Sequence, residues 1–406
     1  MPFVIYAVPW FNEVSVRYIE AILSLPDVRL AVIALDPEEK LPAHLRGHLA
    51  GHWRLDDMLD SGKLAHAAGS LAQHFGPIHR IFSHQEQFQV PLAQVREWLG
   101  ITGMGVEEAH NFRDKARMKQ VFREAGIPCA RGQVVTEETG AWEFADEVGY
   151  PLVLKPVAGA ASQGTFRADG AETLREALAA TAPGPHQPIL VEEFITGEEH
   201  SFDSFTIRGE TVWHSLTHYH PAPLEVIRTP WIQWSVVLPR EVDHPRYDDI
   251  REAAARALKV LGMETGISHL EWFRRRDGSI AISEVAARPP GAQITTLMSV
   301  ANDFDAIRAW VRLMVYEEFD TPPRRYAAGA AYLRGQGQGR IKAVHGLEQA
   351  QQELGPLVVA AKLPQVGQHT STSYEGDGYV IVRHPDTEVV RQALLRLVSL
   401  IQVELG

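Results

Sequence analysis

The hydrophobic positions near the start of the chain fall into short continuous runs separated by helical spacing. Residues 3–8 and 30–35 are apolar throughout, which is typical of buried parallel strands. Residues 13–23, between them, have the three- to four-residue spacing of a helix. The order predicts a strand–helix–strand unit of an open α/β sheet, continued by a strand at 78–82 and a helix at 90–99.

A second kind of pattern begins near residue 111, where strands and helices are short and glycine often ends them. The segment 150–156 is an apolar strand with Lys155 near its end, and small residues with two glycines follow at 157–165. The backbone N–H groups of such a loop can face phosphate oxygens, while the lysine adds a positive charge. Because the lysine precedes the glycines, this is not a Walker A loop. A flexible turn beside a partly buried lysine is the alternative interpretation.

A hairpin is predicted at 268–285, where apolar and polar residues alternate on both sides of an Asp-Gly turn. Glu271 and Glu284 lie on its two arms, and Arg288 follows shortly after. Two carboxylates on neighbouring antiparallel strands can hold Mg²⁺ next to nucleotide phosphates. The arginine offers a bidentate donor to a phosphate or carboxylate. Taken alone, the stretch is also compatible with a solvated surface hairpin.

The remaining segments predict a loop and a tail. Residues 219–240 contain several prolines and aromatic residues, which predicts a long loop that can close over a site. From about residue 323, strands at 357–361 and 379–383 and a helix over 386–402 predict a small α/β subdomain.

Composition and charge limit the class of protein. At 406 residues the chain is too long for one ordinary core. The net charge of −12 argues against a general nucleic-acid or anionic-membrane binder, which would be basic. The single cysteine, Cys129, excludes an intramolecular disulfide framework and a cysteine zinc cluster. Without a signal-like start or a run of 18 apolar residues, a cytoplasmic protein is the simplest expectation.

The order of these segments resembles the ATP-grasp superfamily. Lys115 follows an aspartate at the start of a helix, and Lys155 ends a strand before a glycine-bearing loop. A Glu-Glu-Phe-Ile strand at 192–195 and a Gly-x-Glu segment at 197–199 then precede the two glutamates and the arginine. Within the superfamily, the chain is most similar to ATP-dependent carboxylate–amine ligases of the L-amino-acid ligase type, which share the Arg-Pro-x-Gly sequence after the second glutamate.

The resemblance implies an α/β (α+β) ATP-grasp fold in three parts. An N-terminal open parallel α/β sheet domain is expected at 1–110. An ATP-clasping domain is expected at 111–322, with lobes of about 111–191 and 192–322. A small C-terminal α/β subdomain is expected at 323–406.

The resemblance also implies an ATP site built from several segments. Lys115 and Lys155 match lysines that contact the phosphates. The flap over the phosphates is matched by Gly159, Ser162 and Gly164. The segment linking the two lobes is matched by Glu192, Glu193, Phe194 and Ile195. The carboxylate at the ribose is matched by Glu199.

Metal binding and catalysis are implied at the hairpin. Glu271 and Glu284 match ligands of Mg²⁺ (or Mn²⁺), and Arg288 matches the catalytic arginine at the reacting phosphate. Most members have a metal-binding asparagine where this chain has Ala286. Either Glu284 binds bidentately with water in the gap, or one of two metals is held less tightly. His269 lies on the same strand face as Glu271, where it orients a substrate or metal-bound water or serves in packing.

The activity implied is an ATP-dependent ligation of a small carboxylate, such as an amino acid, to an amine through an acyl phosphate. No nucleic-acid or membrane partner is expected, and a homodimer is the family-like assembly. The alternatives are a carboxylase-type enzyme that activates bicarbonate, an ATP-dependent kinase and a non-catalytic ATP-binding module, the last raised by Ala286. No side chain stands out as the base for the amine, and no motif specifies which carboxylate or amine is used.

Overall fold

The computed structural model describes residues 1–157, 164–229, 232–335, 337, 339–371, 373 and 375–406. Two of the predicted nucleotide-binding positions, Gly159 and Ser162, lie outside the described residues. In the described residues, no helix has the length and apolar character needed to cross a lipid bilayer.

The first unit is a parallel sheet flanked by helices. Its strands lie in the order β3-β2-β1-β4 and all pair in parallel. This confirms the predicted open α/β sheet, although the strand at 51–54 and the helix at 61–75 were not predicted. The elements in chain order are β1 (Phe3–Ala7), α1 (Glu13–Leu23), β2 (Arg29–Ala34), α2 (Ala43–Arg46), β3 (Gly51–Arg54), α3 (Ser61–Phe75), β4 (Ile78–Phe82), α4 (Gln89–Leu99) and α5 (Val106–Arg113).

A small antiparallel sheet follows, with strands in the order β5-β8-β6-β7. The side chain of Asp114 caps the next helix by accepting hydrogen bonds from the N–H groups of Ala116 and Arg117, so Lys115 occupies its first turn. The elements are α6 (Lys115–Glu124), β5 (Gly132–Val135), α7 (Glu138–Val148), β6 (Leu152–Pro156), β7 (Phe166–Ala168), α8 (Ala171–Thr181) and β8 (Ile189–Glu193).

A large antiparallel sheet occupies the rest of the chain. Its strand order within the described residues is β13-β12-β9-β10-β11-β14-β17-β16, so strands after residue 323 extend the same sheet. Two short strands, β15 and β18, pair separately. The elements are β9 (Gly197–Ile207), β10 (Glu210–His220), α9 (Pro223–Arg228), β11 (Trp234–Leu238), α10 (Asp248–Leu261), β12 (Gly266–Arg275), β13 (Ile280–Ala286), α11 (Ile294–Asn302), α12 (Ala306–Tyr316), β14 (Ala327–Leu333), β15 (Ile341–His345), α13 (Leu347–Leu354), β16 (Val358–Lys362), β17 (Gly378–His384), α14 (Thr387–Leu400) and β18 (Gln402–Leu405).

The prediction of one long loop over 219–240 is wrong. The segment contains the end of β10, the short helix α9 and the buried strand β11. Pro223 starts α9, where a missing N–H costs nothing, and Trp234 is only 1% exposed in β11. Among the described residues of this segment, prolines and aromatic residues therefore mark element boundaries and core positions.

One hydrophobic core joins the first unit to the large sheet. Tyr6 and Tyr18 of the first unit belong to the same buried cluster as Phe205 of β9 and Trp310 of α12. Tyr18 packs edge-on against Trp310, with ring centroids 5.2 Å apart. This shared core fixes the carboxyl ends of the parallel strands against the face of the large sheet, where a cavity opens.

Candidate active site

A cavity of about 470 Å³ lies between the three sheets, a size typical of small-molecule sites. Residues 84–87 of the first unit, the start of α6, strand β6 and the end of β8 contribute to its wall, together with β9, β12 and β13. Most of the predicted site residues line it: Lys115, Lys155, Glu192, Glu193, Phe194, Ile195, Glu199, Glu271, Glu284 and Arg288. Gly164 is described but lies in an exposed turn, and its neighbour Thr165 lines the cavity instead.

The two predicted metal ligands are directly paired across the hairpin. Glu271 of β12 is the register partner of Glu284 of β13. Both side chains line the cavity, and both residues are half-buried. Directly opposed like charges on neighbouring strands repel each other, so the pair requires a compensating positive charge.

Lys115 provides part of this charge. Its ammonium group forms an ion pair with Glu284 across 169 positions of sequence. Burial opposes the ionisation of Glu284, but the charges of Lys115, then Lys155 and Arg288, lower its pKa to about 2. The carboxylate is therefore ionised at neutral pH and available to a cation.

Glu192 has a role that sequence reasoning did not predict. Its carboxylate is 5% exposed and lies between two lysines, with Oε2 2.5 Å from Lys155 Nζ and Oε1 3.2 Å from Lys119 Nζ. Burial raises the pKa of Glu192, but the two ammonium groups outweigh this effect and hold it below its usual range. Burial lowers the pKa of Lys119, while the same carboxylate raises that of Lys155. The ion pairs of Glu192 with Lys119 and Lys155 therefore hold Lys155, a predicted phosphate-binding residue, in position.

Glu199 shows that one part of the cavity has an excess of negative charge. Burial and then the charge of Glu271 raise the pKa of Glu199 to about 8, against opposing effects of Lys155 and His269. A carboxyl group with this pKa is largely protonated at neutral pH until a positive charge approaches. A divalent cation beside Glu271 would relieve this repulsion.

A buried hydrogen-bonded chain leads to Glu271 from the neighbouring strand. Ser201 donates to Asp203 Oδ2 over 2.8 Å, and Asp203 Oδ1 lies 2.5 Å from His269 Nδ1. His269 Nε2 lies 3.5 Å from Glu271 Oε1. Burial lowers the pKa of His269, but Asp203 and then Glu271 raise it to about 9. His269 therefore carries a positive charge behind the predicted metal ligand.

Arg288 is held by an acid from the first unit. Its Nε donates to Glu86 Oε2 over 2.9 Å, and its Nη1 donates to the carbonyl of Pro289 over 3.0 Å. The other oxygen of Glu86 accepts from Arg113 at the end of α5. Glu86 is 5% exposed, so these ion pairs connect the first unit firmly to the end of the hairpin.

The end of β8 and the two residues after it, which are predicted to contact a nucleobase, line the cavity. The side chain of Glu193 forms ion pairs with Arg131 at 2.9 Å and Arg275 at 3.0 Å. The guanidinium of Arg167 lies 4.2 Å from the centre of the Phe194 ring. Ile195 is buried and contributes an apolar wall.

The residues present fit a nucleotide-bound divalent cation. Within the described residues, no group of three His, Cys, Asp or Glu side chains is arranged to hold a metal alone. Two carboxylates with lysines close by suit Mg²⁺, which commonly takes only one or two carboxylates and completes its shell with phosphate oxygens and water. Ala286 is 3% exposed, lines the cavity and is the register partner of His269.

Several contributors to the site were missed in the sequence. Lys119 follows Lys115 by one helical turn, so helical spacing could have placed both on the face turned toward the site. Asp203 and Ser201 alternate along one strand, which could have placed them on one face of the sheet. No local signal marks Glu86, because its partners lie on other segments.

Comparisons with known proteins identify similar sequences. Residues 148–297 match the model of the ATP-grasp domain. The alanine–anticapsin ligase of Bacillus subtilis (strain 168) is 29% identical over 241 residues, covering 54% of this chain and 50% of that protein. The L-arginine-specific L-amino acid ligase of Bacillus subtilis is 25% identical over 283 residues, covering 68% of this chain and 67% of that protein.

A crystal structure extends the likeness to the full length. The L-amino acid ligase of Bacillus licheniformis superposes with a TM-score of 0.79 at 18% identity, covering 100% of this chain and 99% of that chain. This comparison shows the fold. The chain spans about half the length of several curated relatives that it matches, for example 50% of the alanine–anticapsin ligase.

Proposed function

We propose that this chain, whose residues 148–297 match the ATP-grasp domain, is an ADP-forming ligase that joins a small carboxylate to an amine. The observation that carries the proposal is the meeting of Glu271, Glu284, Lys155 and Arg288 in one cavity with residues 192–195. In the roles proposed, the two glutamates hold a cation, Lys155 and Arg288 contact phosphates, and residues 192–195 contact the nucleobase.

The first step proposed is attack of the substrate carboxylate on the γ-phosphorus of ATP, which forms an acyl phosphate and releases ADP. Carboxylate and triphosphate repel each other, so the barrier depends on preorganised positive charge. Lys115 and Lys155 supply this charge at the phosphates, and Arg288 supplies it at the transferred group. Mg²⁺ held by Glu271 and Glu284 would add charge neutralisation between the phosphates.

The second step proposed is attack of the amine on the acyl carbon, which forms the amide and releases phosphate. The oxyanion of the tetrahedral intermediate develops next to Arg288, whose guanidinium is fixed by Glu86. Fixing this donor in advance avoids reorganisation during the reaction. Water must be excluded while the acyl phosphate exists, because hydrolysis would release phosphate without an amide.

The wall of the cavity away from the lysines favours a substrate with a largely apolar body. It includes Val14, Tyr18, Leu224, Trp234 and Ile294. Apolar and aromatic walls contribute binding through burial, at about 25 cal/mol per Å² of apolar surface. An amino acid with an uncharged, apolar side chain fits this chemistry.

The proposal is tested by product analysis with MgATP and pools of L-amino acids. A ligase forms ADP, phosphate and amide together, and only when both a carboxylate and an amine are present. A phosphorylated product without free phosphate would identify a kinase, and turnover that depends on bicarbonate would identify a carboxylase. Nucleotide binding without turnover would identify a binding module.

The metal assignment is tested in the same assay with Glu284→Gln. The variant keeps the shape of the side chain but removes its charge, and turnover should fall about 10²- to 10³-fold. Glu210→Gln, at an exposed hairpin position, is the matched control and should leave turnover unchanged. Wild-type turnover in Glu284→Gln would refute the assignment.

A further inference from the structure

The imidazole of His84 lies at the end of the cavity that the first unit provides. His84 follows β4, at the carboxyl end of the parallel sheet, and lines the cavity together with Tyr18 and Gln85. Ligands of open α/β sheets bind outside the carboxyl ends of the strands. Neither the nucleotide contacts nor the metal ligands described above involve this residue.

Two tyrosines fix the position of the ring. The hydroxyl of Tyr6 lies 2.5 Å from Nδ1 of His84. The ring of Tyr18 stacks on the imidazole, with centroids 4.5 Å apart and an interplanar angle of 15°. Tyr6 is fully buried and Tyr18 is 4% exposed, so neither tyrosine side chain can move without disturbing the shared core.

The protonation of the ring follows from its surroundings. Burial and then the nearby charge of Arg288 lower the pKa of His84 to about 4, so the imidazole is neutral at pH 7. Burial raises the pKa of the Tyr6 phenol well above its usual range, so the phenol keeps its proton. Among the described residues the Tyr6 hydroxyl has no hydrogen-bond partner besides Nδ1 of His84, so its proton is satisfied by donation to Nδ1. A neutral imidazole that accepts at Nδ1 carries its own proton on Nε2.

The Nε2–H group is a donor for which the described residues provide no acceptor. Within the described part of the chain, the His84 ring makes no hydrogen bond besides that to Tyr6. The ring lines the cavity, and the charge of Arg288 reaches the same region. A ligand that presents an oxygen acceptor, and tolerates a cation close by, suits this position.

We propose that His84 binds a carboxylate oxygen of a substrate through Nε2–H, with Tyr6 and Tyr18 as the residues that position the ring. The inference rests on the proposed function, since it concerns the substrates of the ligation. A neutral donor suits a carboxylate that must act as a nucleophile, because it orients the oxygen without neutralising its charge. The carboxylate belongs either to the acid that is activated or to an amino acid that supplies the amine.

The test compares His84→Phe with His84→Gln in steady-state kinetics. Phenylalanine keeps an aromatic ring against Tyr18 but removes the donor, so KM for the bound carboxylate should rise about tenfold, as expected for one hydrogen bond. Glutamine returns an N–H donor at a similar reach and should recover most of this loss. KM for ATP should stay within about twofold of the wild-type value in both variants, because His84 is not among the predicted nucleotide-binding residues. His48→Phe, at an exposed position of the same unit, is the control.

Separate KM values for the acid and the amine identify which carboxylate is bound. A rise in either value that glutamine reverses supports the proposal. Unchanged KM values for both substrates, equal losses in the phenylalanine and glutamine variants, or an equal rise in KM for ATP would overturn it.

A binding measurement separates failure of this inference from failure of the proposed function. The protein labelled with ¹⁵N-histidine should show a neutral His84 ring with its proton on Nε2, and this resonance should shift when a mixture of L-amino acids is added. If no carboxylate supports phosphate release, the proposed function is wrong, and this titration alone decides the inference. Absence of a shift, or a proton on Nδ1, would overturn the assignment of His84.

Discussion

Replacing Glu192 with glutamine tests the buried ion pairs that this residue forms with Lys119 and with the predicted phosphate-binding residue Lys155. The substitution preserves size but removes the negative charge between Lys119 and Lys155, whose side chains are 1% and 10% exposed. Two ammonium groups would then share a buried region without a counter-ion. Removing one partner of a buried ion pair costs about 3–5 kcal/mol, and here one carboxylate serves two partners.

Equilibrium unfolding in urea measures this cost. A loss of about 3–5 kcal/mol should move the unfolding midpoint down by about 1 M or more, since slopes are about 1–3 kcal/mol per M. Glu193→Gln is the matched control on the next residue. Its partners Arg131 and Arg275 are 59% and 33% exposed, so its loss should be at most about 1 kcal/mol.

The contribution of Glu192 to the free energy of unfolding depends on pH, and the direction of this dependence follows from its pKa. The folded-state pKa of Glu192 is below its unfolded value, so its contribution is complete above about pH 4.3 and declines as the pH falls through the folded pKa. The difference between wild type and Glu192→Gln should therefore be largest near pH 7 and shrink in acid. Equal stability of the Glu192→Gln and Glu193→Gln variants at pH 7 would refute the reasoning.

Three further substitutions test other contacts. Ala286→Asn supplies the asparagine side chain that binds metal in most ATP-grasp members. The Mg²⁺ concentration that gives half-maximal activity should therefore fall about tenfold. An unchanged or higher concentration would contradict this prediction. Asp203→Asn should lower the pKa of His269 from about 9 toward 6.5, as measured by NMR without metal. A histidine whose pKa is raised in the folded state stabilises the fold below the unfolded pKa, and this contribution is lost as the pH rises through about 9. The loss of stability in Asp203→Asn should therefore be greater at pH 6 than at pH 10. A loss that does not depend on pH would contradict this prediction. Glu86→Gln releases one anchor of Arg288 and should lower kcat about a hundredfold, with little effect on KM for ATP; a normal kcat would exclude the anchoring role.

Much of the hairpin formed by β12 and β13 could be predicted because its signals are local. The alternation of apolar and polar residues and the Asp-Gly turn predict two paired strands. These strands are β12 and β13, which pair in antiparallel register. The placement of Glu271 opposite Glu284 follows from that register. The predicted helix at 13–23 has the same bounds as α1, because its spacing and its cap at Asn12 agree.

Other elements carried weaker signals. Strand β3 is short, its residues are half-buried or exposed, and its sequence has no continuous apolar run. Helix α3 contains two glycines, which lower helix propensity, and its apolar face is formed partly by alanine. Both are stabilised by packing on the parallel sheet, which a single-sequence pattern does not contain.

The parts of the site that were missed are all long-range contacts. Glu192 was predicted only as part of the nucleotide-binding segment that links the two lobes, whereas the meeting of β6, β8 and α6 places its carboxylate between two lysines. Glu86 reaches Arg288 across 202 positions. Such pairs depend on how the sheets are arranged relative to one another, and neither residue lies in a motif that specifies this.

The central claim is that a carboxylate is activated by phosphoryl transfer from ATP. Oxygen-18 tracing tests it most directly. The reaction is run with a carboxylate substrate labelled in both oxygens, the amine and MgATP, and the released phosphate is analysed by mass spectrometry. Transfer through an acyl phosphate places one labelled oxygen in each phosphate and leaves the other in the amide. Unlabelled phosphate formed together with amide would contradict the account.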